Sequence, residues 1–232
     1  MNLLDFVFPK RCVGCGKLGR YFCDRCSSII RIIELNEAIC PICEKPAVDG
    51  MTHPRCETRY SLDGLTSFFR YDGVIKKAIK TIKYRFVSDL ANEFVALVPE
   101  ASIISLSKLL NSTSLRPLVI PIPLHPSRLR FRGFNQAAEL GKIISLRLQI
   151  PMRTDILRRT RSTVPQVEMK HKEERVKNMG NVFAMNTPLR IATNVSVLLF
   201  DDVFTTGATM RAAAKELKRN GVKFVWGVTM AR

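Results

Sequence analysis

The residues with the clearest chemical potential lie in one segment near the C-terminus, residues 197–209. The segment reads VLLFDDVFTTGAT, an apolar run followed by two adjacent carboxylates and a turn rich in hydroxyl groups. The apolar run predicts a buried strand, and the residues from Ala208 onward predict a helix. Backbone N–H groups at a helix N-terminus bind phosphate, and hydroxyl side chains add further donors. The segment therefore predicts a sugar-phosphate site.

Two other interpretations of this segment explain less of it. A Walker-B-like strand of an NTPase would need a G-x-x-x-x-G-K-[ST] loop, which the sequence does not contain. A simple helix cap would explain one threonine or aspartate. It would not explain a carboxylate pair combined with three threonines and Gly207. The carboxylates stand at the end of a strand, where ligands bind open α/β sheets. Gly207 allows the backbone to approach a ligand closely.

A second group of candidate residues is formed by the cysteines, all seven of which lie between residues 12 and 56. They form three C-x-x-C pairs, and His53 with Cys56 completes a fourth pair. A C-x-x-C turn directs two thiolates at one metal, and zinc takes four such ligands. The spacing predicts one all-cysteine site and one Cys3His site, both structural. The candidate zinc ligands are Cys12, Cys15, Cys23, Cys26, Cys40, Cys43, His53 and Cys56.

Three points about the cysteine region stay open. Redox dithiols or disulfides are the alternative, although in the cytoplasm paired cysteines are more often metal ligands. The number of zinc ions is one or two, because the ligand pairs could interleave. A lone histidine before a proline is often a surface residue, so His53 is the weakest candidate. A module this small needs metal to fold.

Composition bounds the class of protein. The chain has 232 residues, of which 46% are hydrophobic and 25% are charged, as in a globular protein. No apolar run approaches the roughly 18 residues that span a bilayer, and the first residues do not form a signal peptide. We therefore expect a cytoplasmic protein without membrane insertion.

The charge is strongly basic and unevenly distributed. The net charge is +17, and residues 116–190 hold 15 Lys or Arg against five Asp or Glu. Such a cluster indicates either an anionic partner, such as nucleic acid or a diphosphate, or a solvated basic face.

Strand and helix patterns alternate from about residue 65, which implies a largely parallel sheet. After the predicted helix at 90–97, the chain is polar and Ser-rich up to about residue 115. Residues 160–181 are interpreted as a mobile excursion with some helix. We predict an α/β fold with a zinc-ribbon module over residues 1–62 and a larger domain over 63–232. The predicted strands are 65–71, 118–122, 195–200 and 222–230, and the predicted helices are 74–82, 90–97, 134–148 and 208–219.

Several further motifs indicate a family. PIPL at 121–124 is followed by RGFNQA at 132–137, IKYR lies at 82–85, and the chain ends in VTMAR. Another spaced pattern consists of Arg159, Gln166, Arg175 and Asn178, followed by Phe183. Together with the cysteine pairs these motifs resemble the ComF family over nearly the whole chain. The one departure is His53, where the family usually has a cysteine.

The resemblance implies a type I phosphoribosyltransferase-like fold, a mostly parallel sheet flanked by helices, behind an N-terminal double zinc ribbon. Residues 197–209 closely resemble the phosphoribosyl-pyrophosphate (PRPP) motif of those enzymes. The adjacent acids would hold the ribose hydroxyls, directly or around Mg²⁺, and the turn would hold the 5′-phosphate. The residues implied are Asp201 and Asp202 for the ribose and Thr205, Thr206, Gly207, Ala208 and Thr209 for the phosphate.

Basic side chains elsewhere are candidates for the diphosphate. Arg128 and Arg132 can bind it bidentately, and Lys83 can add a point charge. For each the alternative is a solvated surface residue. The family implies a mobile hood over the site, at 160–178, or else this is an ordinary exposed loop. The hood candidates are Arg161, Gln166, Lys170, Lys172 and Arg175.

Two functions stay open at this stage. One is a phosphoribosyltransferase that uses PRPP and Mg²⁺ with an unknown nitrogen acceptor. The other is a competence protein that binds single-stranded DNA, in which the PRPP site is regulatory or vestigial, and the basic excess suits that partner. The resemblance implies DNA uptake in natural transformation, with a competence helicase as a further partner. The aromatic residues Phe68, Phe69, Tyr71 and Phe131 are interpreted as core rather than as a base-stacking surface.

Overall fold

A four-stranded parallel sheet forms the centre of the structure, a computed structural model that describes residues 9–84, 88–161, 182–186 and 194–232. The sheet has the order β1-β6-β5-β2, and all three neighbouring pairs are parallel. The predicted α/β fold with a largely parallel sheet is therefore confirmed. In chain order the strands are β1 (Gly64–Phe69), β2 (Arg116–Pro121), β3 (Leu157–Arg159), β4 (Phe183–Met185), β5 (Val195–Val203) and β6 (Phe224–Ala231).

Helices cover both faces of this sheet. Alternate residues of β5 point to opposite faces, so Leu198 and Phe200 join one buried cluster while Val197 and Leu199 join another. The first cluster includes buried side chains from α2, α3, α4 and α6, and the second includes those of α7. The helices in the described residues are α1 (Asp24–Ser27), α2 (Gly73–Tyr84), α3 (Ser88–Ala96), α4 (Glu100–Ser112), α5 (Pro126–Arg132), α6 (Gln136–Leu148) and α7 (Ala208–Arg219).

The cysteine-rich segment packs directly on the sheet and its helices. Cys12, Cys23 and Cys26 are buried in the same cluster as α3, where the Phe22 and Phe94 rings stack with centroids 5.9 Å apart. Single antiparallel bridges join residues 32 and 51 to the outer edge of β1. The two parts thus share one core, and the boundary between residues 62 and 63 stays a prediction.

Helix α4 corrects the interpretation of the Ser-rich stretch. The serines weaken the helical pattern of this segment, because serine is a weak helix former. The apolar side chains of Ile103, Leu106 and Leu110 nevertheless recur at helical spacing and are buried.

Helix α5 was also not predicted. Pro126 stands in its first turn, His125 accepts a hydrogen bond from the Ser127 N–H, and Gly133 ends it with a φ of 78°. The next helix begins at Gln136 rather than residue 134, because Asn135 caps it by accepting from the Ala137 N–H at 3.1 Å.

Strands β3 and β4 form a short antiparallel pair in which Arg159 lies opposite Phe183. Most of the predicted excursion between them, residues 162–181, lies outside the described residues. Among the helices that the structure does describe, none has both the length and the hydropathy that crossing a bilayer requires.

Candidate functional site

The carboxylate pair lies at the carboxyl end of β5, a strand with neighbours on both sides. The sequence predicts that this strand ends at Phe200, whereas in the structure it continues through Val203. Asp202 is 4% exposed and Asp201 is partly buried. The Asp202 N–H donates to Oδ1 of Asp201 at 2.8 Å, which fixes the first carboxylate against the backbone.

Lys83 faces this pair from the last turn of α2. Its Nζ lies 3.0 Å from Oδ2 of Asp202, and the two side chains are 24% and 6% exposed. The sequence motif suggested a point charge for the diphosphate. In the structure this charge lies against the acid pair, where it balances part of the buried negative charge.

The electrostatics of Asp201 are unusual. Burial, followed by the neighbouring Asp202 charge, raises the pKa of Asp201 to about 7, although Lys83 and Arg159 oppose the rise. The pKa of Arg159 is in turn lowered by burial and by the nearby Arg128. Two carboxylates and three basic side chains therefore interact at this edge of the sheet.

Sequence reasoning missed Arg159 as a site residue. In the sequence this arginine stands in a family motif that gives it no role. Its place at the end of β3, beside Asp201, depends on how that short strand folds against the sheet. The motif itself was the only sequence signal for it.

The hydroxyl-rich turn connects β5 to α7. Thr205 and Thr206 are exposed, and Gly207 caps α7 with a φ of 65° and no side-chain cap. A Cβ at Gly207 would lie 2.4 Å from Cζ of the buried Phe204, so the turn requires glycine. Within the described residues the hydroxyls of Thr205, Thr206 and Thr209 form no hydrogen bond. The turn thus presents hydroxyl and backbone donors beside the carboxylates.

The predicted diphosphate arginines both lie on α5, which follows β2. Arg132 donates from Nη1 to Oε1 of Gln136 at 2.9 Å and lies 5.9 Å from the centre of the Tyr84 ring. The charge of Arg128 adds to the effect of burial in lowering the pKa of Arg159. Their roles toward a phosphate stay predictions.

The hood candidates fall mainly outside the described residues. Arg161 is described and exposed. Gln166, Lys170, Lys172 and Arg175 lie in the part of the chain that the structure does not describe, so their predicted closure over an anion stays a prediction.

The aromatic residues divide into two groups. Phe68 and Phe69 are buried, at 1% and 0% exposure, and Tyr71 packs against the core, as the sequence interpretation held. For Phe131 the core interpretation is wrong, because this ring is 84% exposed on α5. Tyr84 is 72% exposed. An apolar residue in a short arginine-rich helix gives no helical periodicity from which its exposure could be read.

The first cysteine cluster brings together Cys12, Cys15, Cys23 and Cys26, whose Sγ atoms lie within 4.8 Å of one another. Around the first pair, the Cys12 N–H donates to the Lys17 carbonyl and the Gly16 N–H to the Cys12 carbonyl, both at 2.8 Å. Four sulfur ligands in this arrangement fit the tetrahedral geometry of a structural zinc ion.

The thiols of this cluster shift in opposite directions. Burial raises the pKa of the Cys12 thiol, but hydrogen bonds from the backbone at Cys23, Cys15 and Gly14 outweigh it and bring the pKa to about 6. Burial and hydrogen bonds to the neighbouring cysteines raise the pKa of the Cys26 thiol to about 12. Zinc binds the thiolate form, so the backbone groups favour a metal ligand at Cys12, whereas Cys26 would lose its proton only when the metal binds.

The second cluster consists of Cys40, Cys43, His53 and Cys56, again within 4.8 Å. Nδ1 of His53 lies 3.3 Å from Sγ of Cys43, while its Nε2 lies 2.9 Å from the Pro46 carbonyl. A proton on Nε2 would be donated to that carbonyl, leaving the Nδ1 lone pair for the metal. The ligand pairs therefore group as two separate clusters, and His53 belongs to the second.

Comparisons with known proteins agree with this picture. Residues 3–57 match the double zinc ribbon domain family. The chain is 36% identical over 115 residues to competence protein F of Haemophilus influenzae, a match that covers 49% of this chain and half the length of that protein.

Two longer matches are more distant. The chain is 26% identical over 215 residues to competence protein ComFC of Bacillus subtilis, covering 86% of this chain and 78% of the relative. It is also 26% identical over 204 residues to the DNA utilization protein YhgH of Escherichia coli, covering 86% of each. These relatives and the double zinc ribbon confirm the resemblance to the ComF family that the sequence motifs indicated.

Proposed function

We propose that the chain binds PRPP with Mg²⁺ at the carboxyl end of its sheet, and that it functions in DNA uptake or utilization. The observation that carries the proposal is the Asp201–Asp202 pair, partly balanced by Lys83 and followed at once by an open helix N-terminus. The role in DNA handling comes from the names of the relatives, competence protein and DNA utilization protein.

The carboxylate pair and the hydroxyl-rich turn suit the two ends of a ribose phosphate. Carboxylates accept hydrogen bonds from the vicinal hydroxyls of the sugar. The Thr205–Thr206 turn and the first N–H groups of α7 would receive the 5′-phosphate, since a helix N-terminus favours negative charge. Only Val203 and Phe204 separate the carboxylates from the turn, so both lie at the carboxyl end of β5.

Mg²⁺ fits the same carboxylates. It prefers oxygen ligands, usually one or two carboxylates together with substrate phosphates. Burial first, and then the charge of Asp202, raise the pKa of Asp201 to about 7, and a divalent cation bound at the pair would favour the ionised form of this carboxyl. When bound, the cation would neutralise charge on the diphosphate.

The remaining chemistry would be done by the chain itself. The carboxylates would orient the ribose and stabilise positive charge that develops on its ring as diphosphate leaves. Arg128 and Arg132 would hold the departing diphosphate, and Lys83 would keep the Asp202 side chain in place. Catalysis of transfer and simple sensing of PRPP both use this arrangement.

Calorimetric titration with PRPP and Mg²⁺ tests the proposal. The Asp201→Asn/Asp202→Asn double variant should lose binding, since neutral amides cannot balance the cation. Asp155→Asn removes an exposed carboxylate outside the site and should bind as the wild type does. Unchanged affinity in the folded double variant would overturn the site.

A second candidate function is contact with single-stranded DNA. The observation in its favour is that Phe131 and Tyr84 expose their rings among the arginines of α5. Aromatic rings beside basic groups stack successive bases while the charges hold the backbone.

Fluorescence anisotropy with a labelled oligonucleotide at two salt concentrations tests this second function. Phe131→Ala should weaken binding about tenfold, the effect of losing one stacked base. Leu146→Ala is the matched control, since Leu146 is an exposed apolar residue on α6. Equal affinity of the two variants would remove the stacking role.

A further inference from the structure

We propose that Arg211 and Lys77 are positioning residues that couple the two zinc clusters to the phosphate-binding edge of the sheet. Each donates to a backbone carbonyl enclosed by a pair of cysteine ligands, and each belongs to a helix that builds the site. This role rests on the proposed phosphate site, but the contacts themselves can be tested without it.

Arg211 joins the second cluster to the hydroxyl-rich turn. Its Nη1 donates to the Pro41 carbonyl at 3.0 Å, and Pro41 lies between the ligands Cys40 and Cys43. The same Nη1 would lie 2.7 Å from a Cβ at Gly207, so the guanidinium packs against the turn itself. Movement of Pro41 would therefore displace the Arg211 guanidinium that packs against Gly207.

Lys77 joins the first cluster to the carboxylate pair. Its Nζ donates to the Gly14 carbonyl at 2.8 Å, and Gly14 lies between the ligands Cys12 and Cys15. A Cβ at Gly14 would lie 3.1 Å from Cγ2 of Val74, so the turn also packs on α2. Lys83, which pairs with Asp202, lies about 9 Å farther along the same helix.

The two contacts make metal binding and ligand binding interdependent. A metal bound by the flanking cysteines would hold the carbonyls of Gly14 and Pro41 in place. Loss of zinc would release the two donors and loosen the edge that receives the phosphate. By reciprocity, a ligand that orders this edge would slow the release of zinc. The Arg211 contact is partly buried and the Lys77 contact is exposed, so Arg211 should carry more of the coupling.

Arg211→Met is the decisive variant, because methionine keeps an apolar stem beside Gly207 and removes the donor. Lys215→Met, an exposed charge one turn farther along α7, is the matched control. Arg211→Lys restores a donor and should recover part of the coupling.

Three readouts follow the coupling. In Arg211→Met we expect faster zinc release to a chromogenic chelator, faster hydrogen exchange at residues 205–209, and about tenfold weaker binding of PRPP with Mg²⁺. Lys77→Met, which acts through α2 on the carboxylate pair, should show faster zinc release and weaker binding of PRPP with Mg²⁺, each by about two- to threefold. The Lys215→Met control should match the wild type in all three.

The outcomes separate this role from the proposed function. If the wild type does not bind PRPP, the proposed function fails, while zinc release and hydrogen exchange still decide the coupling. Zinc release and exchange equal to wild type in Arg211→Met would overturn it, whatever the ligand. Should Arg211→Met not fold, the wild type remains informative, because removal of zinc must accelerate exchange at residues 205–209 before the sheet opens. Unchanged exchange there would also overturn the coupling.

Discussion

Asp201→Asn is expected to make the protein more stable at neutral pH while it weakens the proposed binding of PRPP. The pKa of Asp201 is raised from 3.8 to about 7 in the folded chain by burial and by the charge of Asp202. The folded state therefore keeps a proton between about pH 4 and pH 7 that the unfolded state has released. Across this window the free energy of unfolding of the wild type falls as pH rises. The Asp201→Asn variant does not show this fall, because asparagine does not ionise.

The structure sets the size of the effect. Three pH units at about 1.4 kcal/mol each give an upper limit of about 4 kcal/mol. Solvent contact of the partly exposed residue, and relaxation around it, reduce this to about 1–2 kcal/mol. Asparagine also keeps an oxygen that can accept from the Asp202 N–H, so the local backbone is preserved.

Urea unfolding of wild type and Asp201→Asn at pH 5.5, 6.5, 7.5 and 8.5 measures this effect. The variant should be the more stable protein at pH 7.5, and the difference should grow as pH rises and then level off. Asp202→Asn provides the contrast, because it leaves the Lys83 ammonium without its partner and should cost about 1–3 kcal/mol. A difference for Asp201→Asn that stays constant with pH, or an Asn variant that is less stable at pH 8.5, would refute the reasoning.

Three other changes test the geometry of the site and the zinc clusters. Gly207→Ala should cost about 2–4 kcal/mol in urea unfolding, from left-handed strain and the Cβ at 2.4 Å from Phe204 Cζ, and a loss below 1 kcal/mol would contradict that crowding. Glu44→Gly should raise stability by about 0.5–1 kcal/mol, because Glu44 has a φ of 61° where the first cluster has Gly16 at 81°, and a lower urea midpoint would contradict it. Elemental analysis should find two zinc ions in the wild type and one in Cys56→Ser, whereas a single ion in the wild type would exclude separate clusters.

The parts of the fold that sequence predicted best are those where one local signal settles the structure. Helix α7 begins and ends at Ala208 and Arg219, as predicted, because Gly207 precedes it and an Asn-Gly pair follows. The cysteine pairs predicted the ligand grouping for a similar reason, since a C-x-x-C turn brings its two thiolates together without help from the rest of the chain.

The parts that sequence missed depend on contacts between distant segments. No local pattern tells that Arg159 lies beside Asp201, or that Lys83 pairs with Asp202, because α2, β3 and β5 are far apart in the chain. Helix α4 was missed for a different reason: its serines weaken the local signal, and burial of Leu106 and its neighbours against the core outweighs that weak propensity. The exposure of Phe131 is likewise a property of the assembled surface.

The most direct test of the central claim is calorimetric titration of the wild-type protein with PRPP, in the presence and in the absence of Mg²⁺. The carboxylate pair and the open turn predict saturable one-to-one binding that requires Mg²⁺. Titration without measurable binding in Mg²⁺, on zinc-loaded and folded protein, would contradict a PRPP site at the end of β5.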